Sequence, residues 1–128
     1  MKYSIIDTIL MYEVDSSVLK ITKEFAKSHS LNLLVADCET DLIAISNLFI
    51  ITDINKLTNA TFDYIRGFVS EGLFDEEMII SYTEPKSELA IAHSRYFEIK
   101  PNLSIEYLEE ILPQRIMTRA NSELREVE

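Results

Sequence analysis

The sequence predicts an α/β fold. We expect a three-layer sandwich in which a parallel sheet of five strands lies between two helical layers that together contain five helices. Two observations support this prediction. Five short apolar runs alternate with five helix-like runs, and the 128 residues suffice for one domain of this kind but not for two. We therefore expect a single domain over residues 1–128. Its core should cover about 8–112, and residues 113–128 should form a helical extension or tail.

The five predicted strands are short apolar runs without helical spacing. They cover residues 8–13, 31–36, 48–53, 78–83 and 96–100. The third run is rich in β-branched and aromatic residues, which suits a central strand that is covered on both faces. Alternating strands and helices imply right-handed crossovers and parallel pairing. The usual closure for a sheet of this size is the flavodoxin-like strand order 2-1-3-4-5.

The predicted helices follow the strands, and most begin near a residue that can cap them. Residues 15–17 offer caps for the first helix, whose inward face should carry Val18, Ile21, Phe25 and Ala26. The second helix is predicted at 37–46, and the third runs from a cap at Asn59 or Thr61 to about residue 71. The fourth is predicted at 84–93, with Pro85 in its first turn. The fifth begins after a cap at Ser104 and reaches a kink at Pro113.

Three polar residues end neighbouring predicted strands. Asp53 ends the third, Thr83 ends the fourth and Lys100 ends the fifth. Ligand sites in open α/β sheets lie outside the carboxyl ends of the strands. We therefore expect an acid, a hydroxyl and an ammonium to converge on one small pocket.

Composition excludes several classes of function. The net charge of −10 opposes direct binding to a nucleic-acid backbone. No apolar run is long enough to span a bilayer, and the single cysteine, Cys38, points to a reducing cytoplasm. Gly67 and Gly72 are the only glycines, so a glycine-rich phosphate loop is excluded and a nucleotide-dependent enzyme is not expected.

The order of these motifs resembles that of response-regulator receiver domains over about residues 8–112. Residues 96–108 read as a strand ending in Lys100-Pro101, a short loop and a capped helix, which is the strongest part of the likeness. Residues 10–19 are similar to the first strand and acidic turn of that family. Residues 49–54 are similar to the phosphoacceptor strand, and residues 79–83 to the strand that ends in the switch hydroxyl.

The resemblance implies a role for each site residue. Asp53 would accept a phosphoryl group from a histidine kinase, and Thr83 would follow that group. Phe97 would be the aromatic switch, and Lys100 would pair with the phosphoryl oxygens. Glu13 and Asp53 would hold Mg²⁺.

Departures from the family pattern indicate a degenerate receiver, or pseudo-receiver. The family has two acids after the first strand, but here the pair reads Glu13-Val14, and valine cannot bind Mg²⁺. Asp15 lies one position further on, where it can cap a helix. Residues 54–59 lack the usual proline and glycine, and Glu84 stands where a very small residue is typical. We therefore expect Mg²⁺ binding to be weak or absent.

The sequence thus predicts a non-enzymatic signalling module of the two-component phosphorelay type, acting through protein–protein contacts with or without phosphorylation at Asp53. Apolar residues recur in the tail at Ile116, Met117 and Leu124, so we expect this segment to contact either another copy of the chain, in a homodimer, or another domain. The alternative is an acidic flavodoxin-like binding or inhibitor protein without phosphotransfer. In that case Asp53 would only cap the next turn and Thr83 would cap the helix that begins near Pro85. Phe97 would then be a core residue and Lys100 a solvated strand end.

Overall fold

The computed structural model describes residues 8–37, 49–70 and 79–113, with side chains for all of these except 68–70. Five strands form one sheet: β1 (Thr8–Tyr12), β2 (Asn32–Val35), β3 (Phe49–Thr52), β4 (Ile79–Ser81) and β5 (Glu98–Ile99). All neighbouring strands are parallel, and their order is β2-β1-β3-β4-β5. The predicted fold class and strand order are confirmed.

The register aligns the carboxyl ends of the central strands. Tyr12 of β1 pairs with Thr52 of β3, Thr52 pairs with Ser81 of β4, and Ser81 pairs with Ile99 of β5. The residues that follow these positions therefore lie at the same edge of the sheet.

The helices cover both faces of the sheet, because the strands alternate their side chains between two apolar clusters. In the first cluster, Ile9, Met11, Phe49, Ile51 and Ile80 pack with residues of α1 (Ser16–Ser28) and of α4, the helical residues 105–113. In the second, Leu10, Ile50 and Ile79 pack with residues of α2 (Asn59–Ser70) and α3 (Glu88–His93). Every residue of β3 is buried, as the sequence predicts for a central strand.

Helix caps agree with the sequence at the two ends of the chain. Asp15 caps α1 by accepting the N–H of Val18 at 3.0 Å, and Ser104 caps α4 by accepting the N–H of Tyr107 at 3.2 Å. At α2 the prediction of Asn59 or Thr61 is wrong. Thr58 caps this helix instead, because its Oγ1 accepts the Thr61 N–H at 3.3 Å.

Two element boundaries also differ from the prediction. The helix expected from residue 84 begins at Glu88 and is capped by Ser87, because the side chain of Asn55 holds residues 84–86 in a non-helical loop. Strand β5 covers two residues rather than five, since residues 94–96 form a 3₁₀ turn before it. Four α-helices occur among the described residues, and the helix predicted at 37–46 lies almost wholly outside them. The expected tail at 114–128 also lies outside them.

Among the described residues, no helix combines the length and the apolar character needed to cross a membrane.

Candidate functional site

Asp53 directly follows β3 and is almost completely buried, with 7% of its surface exposed. Its Oδ1 atom accepts two hydrogen bonds, from the Asn55 N–H at 3.0 Å and from the Thr83 hydroxyl at 2.5 Å. Through the bond to Asn55, Asp53 caps a 3₁₀ turn (Ile54–Lys56). Within the described part of the chain, neither a hydrogen bond to Oδ2 nor an ion pair to Asp53 occurs. The carboxylate is therefore oriented through one oxygen, while the other keeps its lone pairs for chemistry.

Thr83 is held at Asp53 by a small hydrogen-bond network. Ser81 Oγ accepts the Thr83 N–H at 3.3 Å and donates to the Thr83 carbonyl at 2.8 Å. The same Ser81 Oγ accepts the N–H of Ile54 at 3.1 Å, which links the end of β4 to the turn after Asp53. The structure thus brings together Asp53 and Thr83, as expected. Thr83 does not cap α3, because Ser87 does.

Asn55 belongs to the site, although sequence reasoning did not identify it. Its Nδ2 donates to Thr83 Oγ1 at 3.2 Å and to the Glu84 carbonyl at 2.7 Å, and its Oδ1 accepts the Lys86 N–H at 2.8 Å. An amide side chain can do this because it carries donors and an acceptor together. A turn asparagine two residues after a strand-end acid is only a weak signal, since such residues commonly bond their own backbone.

The loop after β1 contains Glu13, which the resemblance assigns to a metal ion together with Asp53. Glu13 is exposed and has a φ of 58°, in the left-handed region. Val14 is half-buried and packs against the first apolar cluster. Asp15 is committed to capping, because its Oδ1 accepts the Val18 N–H and the Ser17 hydroxyl. These bonds lower the pKa of Asp15, with a smaller contribution from the charge of Lys56.

The residues do not match a well-formed Mg²⁺ shell, which needs several oxygen ligands in octahedral geometry. Val14 contributes its side chain to the core, and the nearby Asp15 is occupied as a cap. In the described ranges, no three His, Cys, Asp or Glu side chains are placed to share an ion. Glu13 and Asp53 are the two acids that the resemblance assigns to the ion.

Tyr82 is a second contributor that the sequence did not reveal. Its ring is 8% exposed and belongs to the first apolar cluster. Its hydroxyl accepts the Asp15 N–H at 3.1 Å and lies 3.5 Å from the Glu13 carbonyl, to which it donates. Burial raises the pKa of Tyr82, and the charges of Asp15, Asp53 and Glu13 raise it further, so the hydroxyl stays protonated at neutral pH.

Phe97 and Lys100 make no hydrogen bond or ion pair with the carboxylate of Asp53 in the described structure. Phe97 is buried in the second apolar cluster and meets Phe62 edge to face, with ring centroids 6.1 Å apart. Lys100 donates its backbone N–H to the Ser81 carbonyl at 2.8 Å. The Lys100 ammonium lies over the ring of Tyr107, 4.6 Å from the centroid, and makes no ion pair with Asp53. Their switch and phosphoryl-contacting roles stay predictions.

The fold is similar to that of a response regulator protein from Burkholderia multivorans, whose structure was determined in solution. The two superpose with a TM-score of 0.62 at 16% sequence identity, and the alignment covers 85% of this chain and 94% of that chain. Neither a protein-family model nor a curated protein matches the sequence. At this identity the likeness shows the fold alone, and that fold is the receiver-domain fold the sequence predicted.

Proposed function

We propose that this chain is a receiver-like signalling domain in which Asp53 is the phosphoacceptor. The observation that carries the proposal is the state of the Asp53 carboxylate. It is buried at the carboxyl edge of the sheet and oriented through Oδ1 by Thr83 and Asn55, and its Oδ2 atom receives no hydrogen bond from a described residue. A carboxylate held in this way presents one oxygen for in-line attack.

The proposed reaction is a phosphoryl transfer from a phosphohistidine of a kinase. Asp53 Oδ2 attacks phosphorus, the new O–P bond forms as the P–N bond to imidazole breaks, and the imidazole nitrogen leaves with the electron pair and takes up a proton. The Thr83 hydroxyl already lies at the carboxylate, so it can turn its hydrogen bond from Oδ1 to a phosphoryl oxygen. The output is contact with other proteins in the cytoplasm rather than catalysis on a further substrate.

A metal ion in such a site would neutralise charge on the transferred phosphoryl group. Glu13 and Asp53 are the residues that would hold it. Because Val14 is a half-buried apolar residue packed against the first cluster and Asp15 is a helix cap, we propose that Mg²⁺ binding is weak or absent and that phosphorylation is slow.

The test is incubation of the chain with acetyl phosphate, with and without Mg²⁺, followed by intact mass measurement. We expect slow uptake of one phosphoryl group by the parent and none by Asp53→Asn. The matched control is Asp63→Asn, which changes an exposed acid on α2 that pairs with Arg66 at 2.7 Å; it should behave like the parent. Uptake that survives Asp53→Asn would exclude Asp53 as the acceptor.

A second candidate, an acidic binding protein without phosphotransfer, is favoured by the position of Lys100. The Lys100 ammonium lies over the ring of Tyr107 and makes no ion pair with Asp53 in the described structure, whereas a phosphoacceptor site is expected to hold this ammonium for the phosphoryl oxygens. This candidate predicts that neither acetyl phosphate nor beryllofluoride changes the protein. Saturable shifts of the Asp53 and Thr83 amide resonances on adding beryllofluoride would exclude it.

A further inference from the structure

Tyr82 and Thr83 connect the end of β4 to two different parts of the site. Successive side chains of an extended segment point to opposite faces of a sheet. Thr83 accordingly turns to Asp53, whereas Tyr82 turns to the face covered by α1 and α4. The Tyr82 hydroxyl then reaches residues 13–15, which we call the acidic loop.

This contact spans the strand that carries Asp53. In the order β2-β1-β3-β4-β5, strand β3 lies between β4 and β1. Neighbouring strands are about 4.8 Å apart, so a link from β4 to the loop after β1 must cross roughly two spacings. A tyrosine is long enough to do so and carries a polar group at its tip. The Asp15 N–H and the Glu13 carbonyl, 67 and 69 residues away in sequence, are its partners.

The conformation of the acidic loop needs such support. Glu13 has a φ of 58°, which is unfavourable for a residue with a Cβ and persists only where the surroundings hold it. The charges of Asp15, Asp53 and Glu13 all raise the pKa of the Tyr82 hydroxyl. Like charges repel one another. A neutral hydroxyl can bond the loop backbone without adding a fourth charge.

We infer that Tyr82 is a positioning residue that holds the acidic loop relative to Asp53 by hydrogen bonds to the loop backbone. The inference rests on the proposed function, and it adds the means by which the loop is kept in register with the phosphoacceptor. Because Tyr82 and Thr83 are consecutive, a shift of Thr83 towards a phosphoryl group on Asp53 also displaces the anchor of the loop.

The test compares Tyr82→Phe with Tyr96→Phe by amide hydrogen exchange, without metal or phosphate donor. Tyr96 is a matched control because it is also 8% exposed and its hydroxyl also has a partner, an Arg95 nitrogen at 2.8 Å. In Tyr82→Phe we expect the Asp15 amide to exchange roughly twofold to thirteenfold faster, which is the range that corresponds to the loss of one intramolecular hydrogen bond. Amides of Ile51 and Ile80 should keep the parent rate, and Tyr96→Phe should leave the Asp15 amide unchanged.

An unchanged Asp15 exchange rate, or an equal acceleration of every amide, would overturn the inference. Failure of the proposed function would appear separately, as absence of phosphoryl uptake by the parent, and would leave the exchange result as it stands.

Discussion

Replacement of Asn55 by alanine tests whether one side chain holds the loop between β4 and α3. The substitution removes three hydrogen bonds, to Thr83 Oγ1, the Glu84 carbonyl and the Lys86 N–H. A net intramolecular hydrogen bond contributes about 0.5–1.5 kcal/mol. Glu84 and Lys86 are exposed, so water can replace the two hydrogen bonds to these residues. Each of these two bonds therefore contributes a free energy at the lower end of that range. The total comes to about 2 kcal/mol.

A loss of about 2 kcal/mol should lower the Tm by roughly 6–10 °C in a domain of this size. Urea unfolding followed by circular dichroism gives the free energy directly. The matched control is Asn59→Ala, because Asn59 is exposed and makes no side-chain hydrogen bond in the described structure. We expect that variant to stay within about 0.5 kcal/mol of the parent.

A third variant, Asn55→Asp, separates the donors from the acceptor. The aspartate keeps an oxygen for the Lys86 N–H but loses both donor bonds, and it brings a negative charge close to Asp53. It should therefore be at least as unstable as Asn55→Ala. If Asn55→Ala unfolds at the same urea concentration as Asn59→Ala, the side chain does not hold this loop and the account of where α3 begins is wrong.

Three further predictions concern single substitutions, each measured by urea unfolding. Val14→Asp should lower the free energy of unfolding by about 1–3 kcal/mol, because it puts a carboxylate against the apolar core. Mg²⁺ should not restore this stability, and recovery with Mg²⁺ would mean that position 14 faces Asp53. Asp15→Ala should lower the free energy of unfolding by about 1 kcal/mol, because it removes the N-cap of α1. Asp15→Ser should keep most of the stability of the parent, because serine can also cap a helix. Burial raises the pKa of Tyr107 above its ordinary value of 10.0, and the charges of Glu98 and Glu110 raise it further. The neutral phenol therefore stabilises the fold below about pH 10, and this stabilisation is lost as the pH rises through the raised pKa. The free energy of unfolding of Tyr107→Phe should consequently fall less than that of the parent between about pH 8 and about pH 11. Equal decreases would contradict the raised pKa of Tyr107.

The arrangement of strands could be predicted because it depends on short-range patterns. Each apolar run is five or six residues long and is followed by a helix-like segment, and that alternation leaves few topologies open. The central position of β3 followed from its composition, since a strand covered on both faces needs apolar residues at every position. The convergence of Asp53 and Thr83 then followed from the parallel direction of the strands.

The parts that could not be predicted depend on contacts between residues far apart in sequence. The start of α3 is set by Asn55, about 30 residues earlier, so the favourable Pro85 signal was overridden by tertiary hydrogen bonds. The same is true of Tyr82, whose partners precede it by 67 and 69 residues. A tyrosine in an apolar strand run is indistinguishable from an ordinary core residue until the loop that it meets is known.

These long-range contacts share one origin, which is the carboxyl end of β4. Ser81 bonds the Ile54 N–H through its side chain and the Lys100 N–H through its carbonyl. Tyr82 bonds the loop after β1, and Thr83 bonds Asp53 after β3. Three consecutive residues therefore connect the loops that follow β1, β3 and β5. Because packed elements of this kind move between discrete arrangements rather than deform gradually, a change at Asp53 that displaces Thr83 must be accommodated in all three loops together.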